Sequence, residues 1–581
     1  MKRTILTIAI TVLTVVTILA AIVASPGCSL MRLLLGDFSP YARSTVKLGE
    51  MKYERPDAKE TIELMQSKIR IIDGTDGEKH TLDEIENAVL DAYNTYLTWQ
   101  SMETLAYVRF SIDTTDSEWV AETEFFDKNT PKVNQEFENL YVACAQSENK
   151  EALESDLFGE GVLDKYVDGG IMTDEIAALM QRESELVTQF SAYDYMTAEF
   201  EIDGVWGTIA DHAANIIDEN DYNRIYGEFY KRVNQDTGPI LIELVKTRKQ
   251  IAKLAGFDNY AEFAFSYALN RDYTPDQANK LVGDVKKYIV PLYKKASADG
   301  LFDILYDVGE IPLSAGSAND AVEKVLGKMD ERLAESFEFM EKYELCYLGY
   351  DSRQLSASFT TYIPKYDAPV TIILGSGNAS DALTLAHEFG HFTDGFLNYG
   401  IISNIDLGEI ASTSLEYMFL NGIDRSGLPK EAIDVLRKYK KASSVELYIS
   451  QCLYYAFEER LYAVPDNELT TDRVCGLARE VLADFGVSDG FEFFEYNWSM
   501  IEHFYQQAFY VISYVTADSV ALQIAAKEKD KAGAGLEVYF ELLDWDYAGS
   551  FSDNVERVGL ESPFADGAVE RLADIIRKVL G

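Results

Sequence analysis

A chain of 581 residues and 65.3 kDa is too long for one simple domain; at roughly 100–200 residues per domain it makes two to four units or one large two-lobed body. Hydrophobic residues at 47% and aromatic residues at 12% supply a sizeable core, which excludes a largely disordered chain. The net charge of −45, from 97 acidic against 52 basic side chains, argues against a nucleic-acid partner, because phosphate binding needs basic surface.

The N-terminus opens with Lys2 and Arg3, an apolar run from Ile5 to Ala24, then Ser25-Pro26-Gly27-Cys28. This is the layout of an export signal. It resembles a bacterial lipoprotein signal, which implies a lipid on Cys28; the run is also about long enough to span a bilayer uncleaved. Either reading leaves a basic N-terminus inside and an extracytoplasmic, membrane-anchored or secreted body outside. Residues 1–28 are thus a signal peptide or membrane anchor, and 29–59 a tether. Lys2, Arg3, Arg32, Arg43 and Lys47 outnumber Asp37 up to residue 47, so an acidic body hangs on a basic stalk. Such a body is pushed away from an anionic membrane surface.

Helix signals dominate from there. Thr81-Leu82-Asp83-Glu84 is a capping box ahead of an amphipathic run to about Ala106. Thr173 precedes a second run, from Asp174 to about Ser191. Thr274-Pro275-Asp276-Gln277 combines an N-cap, a proline at the first helical position and a reciprocal Gln, and Thr471-Asp472 starts another helix. Gly169-Gly170 and Gly204 punctuate the first half and place a soft boundary near 200, between an N-terminal helical region (60–200) and the remainder (201–581). Cys144, Cys346, Cys452 and Cys475 match no metal or disulfide spacing and read as buried thiols. Pro369-Val370-Thr371-Ile372-Ile373-Leu374 is short, β-branched and apolar, and stops at Gly375-Ser376-Gly377-Asn378: a strand and its turn. Ser380 or Asp381 then caps a helix running to about Asn398.

That helix contains His387-Glu388-Phe389-Gly390-His391. Two imidazoles at i and i+4 project from one face, one turn apart, and can hold one zinc ion. Glu388, next to the first histidine, can reach a water at the ion without ligating it and serve as general base. A third protein ligand is needed. His80 and His212 lack motif context, so a carboxylate downstream is favoured. Asp406-Leu407-Gly408-Glu409 reads as a helix start, and Glu409 and Glu416, seven apart, face the same way.

Taken with Gly408-Glu409-Ile410-Ala411-Ser412-Thr413, the His-Glu-Phe-Gly-His helix resembles the thimet oligopeptidase and oligoendopeptidase F family of zinc peptidases. Two more stretches carry the same resemblance: Arg248 to Glu262, and His503-Phe504-Tyr505 followed by Phe509-Tyr510 and Tyr514. The resemblance implies a mostly α, two-lobed zincin-type body around a deep channel, with a small β element before the motif helix and 201–581 as the catalytic region. It implies one Zn²⁺ per chain held by His387, His391 and Glu409, with Glu388 as base and His503, Tyr510 and Tyr514 facing a short peptide substrate. The 369–374 strand would pair with the peptide backbone, and Glu416 would orient a ligand histidine. Three departures stand out. Glu409 lies 18 positions after His391, so raw spacing favours Glu416 as ligand while the local motif favours Glu409. Asp394 stands where relatives often carry a histidine, and would accept a ligand N–H from there. An export signal sets the chain apart from cytoplasmic relatives. The implied activity is endopeptidase cleavage of short unstructured peptides; the competing readings are a non-catalytic peptide-binding surface lipoprotein and a zinc carboxypeptidase on a related helical scaffold.

Overall fold

The computed structural model describes residues 43–579 apart from 160, 352, 356, 401–404, 489 and 547–548. The signal or anchor and Cys28 lie outside the described residues. Among the described residues, no helix is long and apolar enough to cross a membrane. From Arg43 onward the tether lies against the body: Arg43 pairs with Asp367, and Leu48 and Met51 are buried.

Helices start where their caps are. Helix α1 (Ala58–Ile72) begins with the Glu60 N–H donating to Asp57. Helix α2 (Leu82–Ile112) opens on the Thr81–Glu84 capping box. It runs past Ala106 because its buried face continues through Val108 and Ser111. With α3 (Ser117–Gln146) these helices enclose a core of their own around Val89, Trp99, Leu140 and Tyr141. Helix α4 (Asp174–Ser191) is capped by Thr173. A hairpin of β1 (Phe200–Ile202) and β2 (Val205–Gly207) follows, turning on Asp203 and Gly204, both at positive φ as this tight turn requires. Next come α5 (Glu219–Leu254) and α6 (Pro275–Tyr288), the latter carrying the Thr274–Gln277 capping box with proline at its start.

A three-stranded sheet stands before the motif helix: β3 (Cys346–Gly349), β4 (Phe359–Ile363) and β5 (Ala368–Leu374), in the order β3-β5-β4. Strand β5 runs parallel to β3 and antiparallel to β4. It is therefore the middle strand, paired with β4 along Ala368–Ile372 and with β3 along Thr371–Leu374. This corrects the expectation that residues 369–374 pair with a substrate; the outer edges belong to β3 and β4.

Helix α7 (Asp381–Leu397) follows β5. Neither expected side chain caps it. Ser380 is already helical and makes no side-chain cap bond. The Asp381 carboxylate instead accepts the N–H groups of Ser376 and Gly377, tying the preceding turn to the helix start. Helix α8 (Ile405–Gly422) lies against α7, and α9 (Lys430–Ala463), α10 (Thr471–Phe485, capped by Thr470) and α11 (Ile512–Asp530) complete the scaffold of the site. One core gathers the sheet, α7 and α8 around Ile372, Phe389 and Met418. The other gathers α5, α6, α9, α10 and the start of α11 around Leu241, Leu281, Leu453, Leu477 and Val515. All four described cysteines are free thiols; Cys144, Cys452 and Cys475 are buried and Cys346 is partly so.

Candidate metal centre

Gly390 decides how closely α7 and α8 approach. A Cβ there would overlap the backbone of Ala411 and Ser412, so only glycine lets the two helices touch at this level. The contact sets His387 and His391 on α7 opposite Glu409 on α8. Glu409 Oε2 stands 3.7 Å from Nε2 of each histidine. The three ligand atoms lie within 4.8 Å of one another. Ligands at about 2.1 Å around a tetrahedral ion are separated by roughly 3.4 Å, close to this spacing. Both Nε2 atoms are buried and lack a hydrogen-bond partner in the protein. Buried imidazole nitrogens are rarely left unbonded; two of them converging on one carboxylate oxygen fit a divalent cation, and a two-nitrogen, one-oxygen donor set suits zinc.

Glu416, one of the two carboxylates weighed as third ligand, takes the other position. Its Oε1 lies 2.8 Å from His387 Nδ1, and Lys440 Nζ donates to its Oε2 at 2.8 Å. Burial works against the charges of this pair, but Lys440 and His387 hold the Glu416 carboxyl well below its ordinary value, and Glu416 holds His387 above its own. An acceptor on Nδ1 holds a proton there, so Nε2, on the side of Glu409, is the nitrogen whose lone pair a cation would take. Asp394 has partners of its own. Asn398 Nδ2 donates to it at 2.6 Å, Trp545 lies beside it, and burial pushes its carboxyl up to about 7.

Glu388 is fully buried. Thr360 on β4 donates to its Oε2 at 2.7 Å and is itself bonded to Thr371 on β5 at 2.8 Å. Oε1 has no partner. Burial pushes the Glu388 carboxyl up to about 7, with His387 and the Thr360 hydroxyl acting against that rise. This is a carboxylate with one oxygen anchored by the sheet and the other open for a proton.

The remaining expected residues are brought together, but not on one helix. Tyr514 lies in α11, whereas Tyr510 precedes it, after a turn in which Phe509 has φ 65°. The two rings stay 5.3 Å apart. Tyr510 donates its O–H to Glu409 Oε1 at 2.5 Å. Tyr514 bonds His503 Nε2 at 3.1 Å. His503 is buried, which lowers its imidazole to about 4 and keeps it neutral; its Nδ1 has no partner. His80 and His212 lie elsewhere, on Asp76 and on the Phe200 carbonyl.

Sequence reasoning missed the residues that hold this wall in place. Arg248, fully buried on α5, donates to the carbonyls of Phe504, Tyr505 and Gln506 and pairs with Glu183. Arg271 donates to the carbonyls of Phe509 and Tyr510 and pairs with Asp406. Glu458 accepts the Phe509 N–H at 2.9 Å. Arg248 stood within a motif stretch; Arg271, Glu458, Thr360 and Lys440 carried no local signal.

A family model described as peptidase M3 N-terminal domain matches residues 48–165, and one described as peptidase family M3 matches 361–574. No curated protein matches the sequence. Among solved structures, Pz peptidase A with an inhibitor aligns at a TM-score of 0.79 and 22% identity, over 92% of this chain and 99% of its own. A Bacillus anthracis protein described as an oligoendopeptidase F aligns at 0.75 and 23%, over 93% and 98%. Oligoendopeptidase F from Enterococcus faecium aligns at 0.56 and 17%, over 90% and 97%. At these identities the structures speak for the fold, a mostly α zincin-type body. The two family matches together cover more than half of the chain, including the motif helix and the tyrosine wall; the chain therefore belongs to peptidase family M3, the oligoendopeptidase F family its motifs resemble, and is a peptidase.

Proposed function

We propose that this peptidase is a zinc-dependent endopeptidase acting on short, unstructured peptides. The observation that carries the reading is the free, buried Oε1 of Glu388 beside three convergent ligand atoms, an arrangement a binding module has no use for. A zinc ion held by His387, His391 and Glu409 would supply Lewis-acid polarisation of the scissile carbonyl and lower the pKa of an attacking water. Glu388 takes the proton of that water on Oε1 and passes it to the leaving amine. The Thr360 hydroxyl occupies Oε2, so the carboxyl cannot turn away between the two transfers. If Tyr514 donates to His503 Nε2, the imidazole proton is on Nδ1, where a buried N–H would be left for the oxyanion that develops in the transition state. For location, the basic, apolar, cysteine-ended N-terminus supports an exported enzyme tethered to a membrane.

The test is zinc quantitation beside cleavage of internally quenched peptides blocked at both ends, with and without a chelator. One zinc per chain and chelator-sensitive cleavage are expected; cleavage confined to unblocked C-termini would favour a carboxypeptidase. Glu388→Gln should keep the zinc and lose about 10²- to 10⁴-fold in kcat. Full activity in that variant would end this mechanism.

A further inference from the structure

The two tyrosines of the wall have different partners, and the difference is built into the backbone. Phe509 is held at φ 65°, a left-handed conformation that a bulky residue disfavours. Its own ring offsets that cost, buried among Tyr260, Phe265, Tyr455 and Tyr462. Both peptide groups of the residue are fixed by buried charged side chains. Glu458 accepts the Phe509 N–H at 2.9 Å. Arg271 Nη1 donates to the Phe509 carbonyl at 2.9 Å, and Nη2 to the Tyr510 carbonyl at 3.3 Å and the Ser513 hydroxyl at 2.5 Å.

Arg271 also reaches the metal side. Its Nε donates to Asp406 at 3.2 Å, in a pair with no solvent exposure on either partner. Asp406 lies in the first turn of α8, three residues before Glu409, and accepts two further hydroxyls, from Tyr273 at 3.2 Å and Thr516 at 2.7 Å. The contacts close a ring: Glu409, one helical turn to Asp406, Arg271, the Tyr510 backbone, and the Tyr510 hydroxyl back onto Glu409 Oε1. With Oε1 taken by Tyr510, Oε2, which also accepts the Ser412 hydroxyl at 3.3 Å, is the oxygen that stands 3.7 Å from both histidine nitrogens.

We propose that Tyr510 is a positioning residue for the metal centre, held by Arg271 and Glu458 so that its hydroxyl fixes Glu409 with one oxygen turned to the ion, while Tyr514 with His503 serves the substrate. The proposal rests on the zinc reading above and divides two tyrosines that sequence could not tell apart. Tyr510 O–H has one proton, and it is committed to the ligand carboxylate. A carboxylate free to swing would offer either oxygen and both its rotamers to the ion; one locked at Oε1 is pre-oriented, which is how partners behind a ligand raise metal affinity.

The decisive measurement is zinc affinity, read by competition with a chromogenic chelator on the full-length enzyme. Tyr510→Phe keeps the ring and its packing and removes only the hydroxyl. It should weaken zinc about tenfold or more, and its kcat at saturating zinc should fall less than that of Tyr514→Phe. Tyr514→Phe should leave zinc affinity unchanged. Arg271→Lys keeps a charge opposite Asp406 but cannot serve four acceptors, so it should weaken zinc in the same direction without touching Glu409. Unchanged chelator competition in Tyr510→Phe would overturn the proposal while leaving the enzyme a zinc peptidase. A wild-type chain that binds no zinc would overturn the metal reading itself, and the proposal with it.

Discussion

Glu409 and Glu416 show how two like residues on one helix acquire different work. Seven positions apart, they share a face of α8, and each ends near an imidazole. Glu409 meets both Nε2 atoms, whereas Glu416 sits behind His387 on Nδ1 and is matched by the ammonium of Lys440. Their removal should therefore differ in kind. On the zinc reading, Glu409→Ala removes one of the three donors and should leave no stoichiometric zinc after dialysis. Glu416→Ala should keep zinc at about 10- to 100-fold lower affinity. It also strands Lys440, which is buried, so thermal or urea unfolding should show a loss of about 3–5 kcal/mol. Stoichiometric zinc in Glu409→Ala, with none in Glu416→Ala, would exchange the two roles.

At the scale of elements, the site exists because α7 and α8 touch. Helix periodicity puts His387 and His391 on one face of α7, but it says nothing of the distance to the carboxylate across from them. That distance is a matter of one missing side chain, since a methyl at Gly390 would collide with the backbone of α8, which has no rotamer with which to yield. Gly390→Ala should cost about 1–3 kcal/mol as an overpacked core does, and should lose zinc as well, because α8 can only move away from the histidines. An alanine variant with full zinc content would show that the helix contact is not what sets the site. The tyrosine wall makes the complementary point. Spacing alone puts Tyr510 and Tyr514 on one helix face, yet the turn at Phe509 takes Tyr510 out of the helix, and the charged groups that hold the turn come from sequence positions about 50 to 240 residues away.

Across the whole molecule, acidic composition meets deep burial. Glu458, 1% exposed, is one of several carboxyls placed where the neutral form is favoured; burial pushes it up to about 8, with the Phe509 N–H and the charges of Arg248 and Arg271 acting against that. Its folded pKa lies above the ordinary value of 4.5, so the folded chain binds this proton more tightly than the unfolded chain. The stability it contributes is complete below about pH 4.5 and is lost as pH rises through about 8, by at most about 1.4 kcal/mol per pH unit. Glu458→Gln carries the neutral form at every pH. Its stability relative to wild type should climb between those limits and level off above them; a difference that does not change with pH would mean that Glu458 is ionised in the fold.

Much of this protein was legible in local sequence. The capping boxes at Thr81 and Thr274, the strand before the motif helix and the His387–Glu388–His391 triplet follow from short-range rules, read from residues a few positions apart. The family resemblance added Glu409 and the residues of the wall. Tertiary structure alone decided the rest: that β5 is the middle strand, that Asp394 bonds Asn398, that Thr360 donates to Glu388, and that Tyr510 meets Glu409 while Tyr514 meets His503. Apart from Asp394–Asn398, one helical turn apart, these are pairings between different elements of the fold, chosen by which surfaces pack and which buried charges must be matched. Sequence determines which groups are present and how each helix displays them; only packing determines which of them meet.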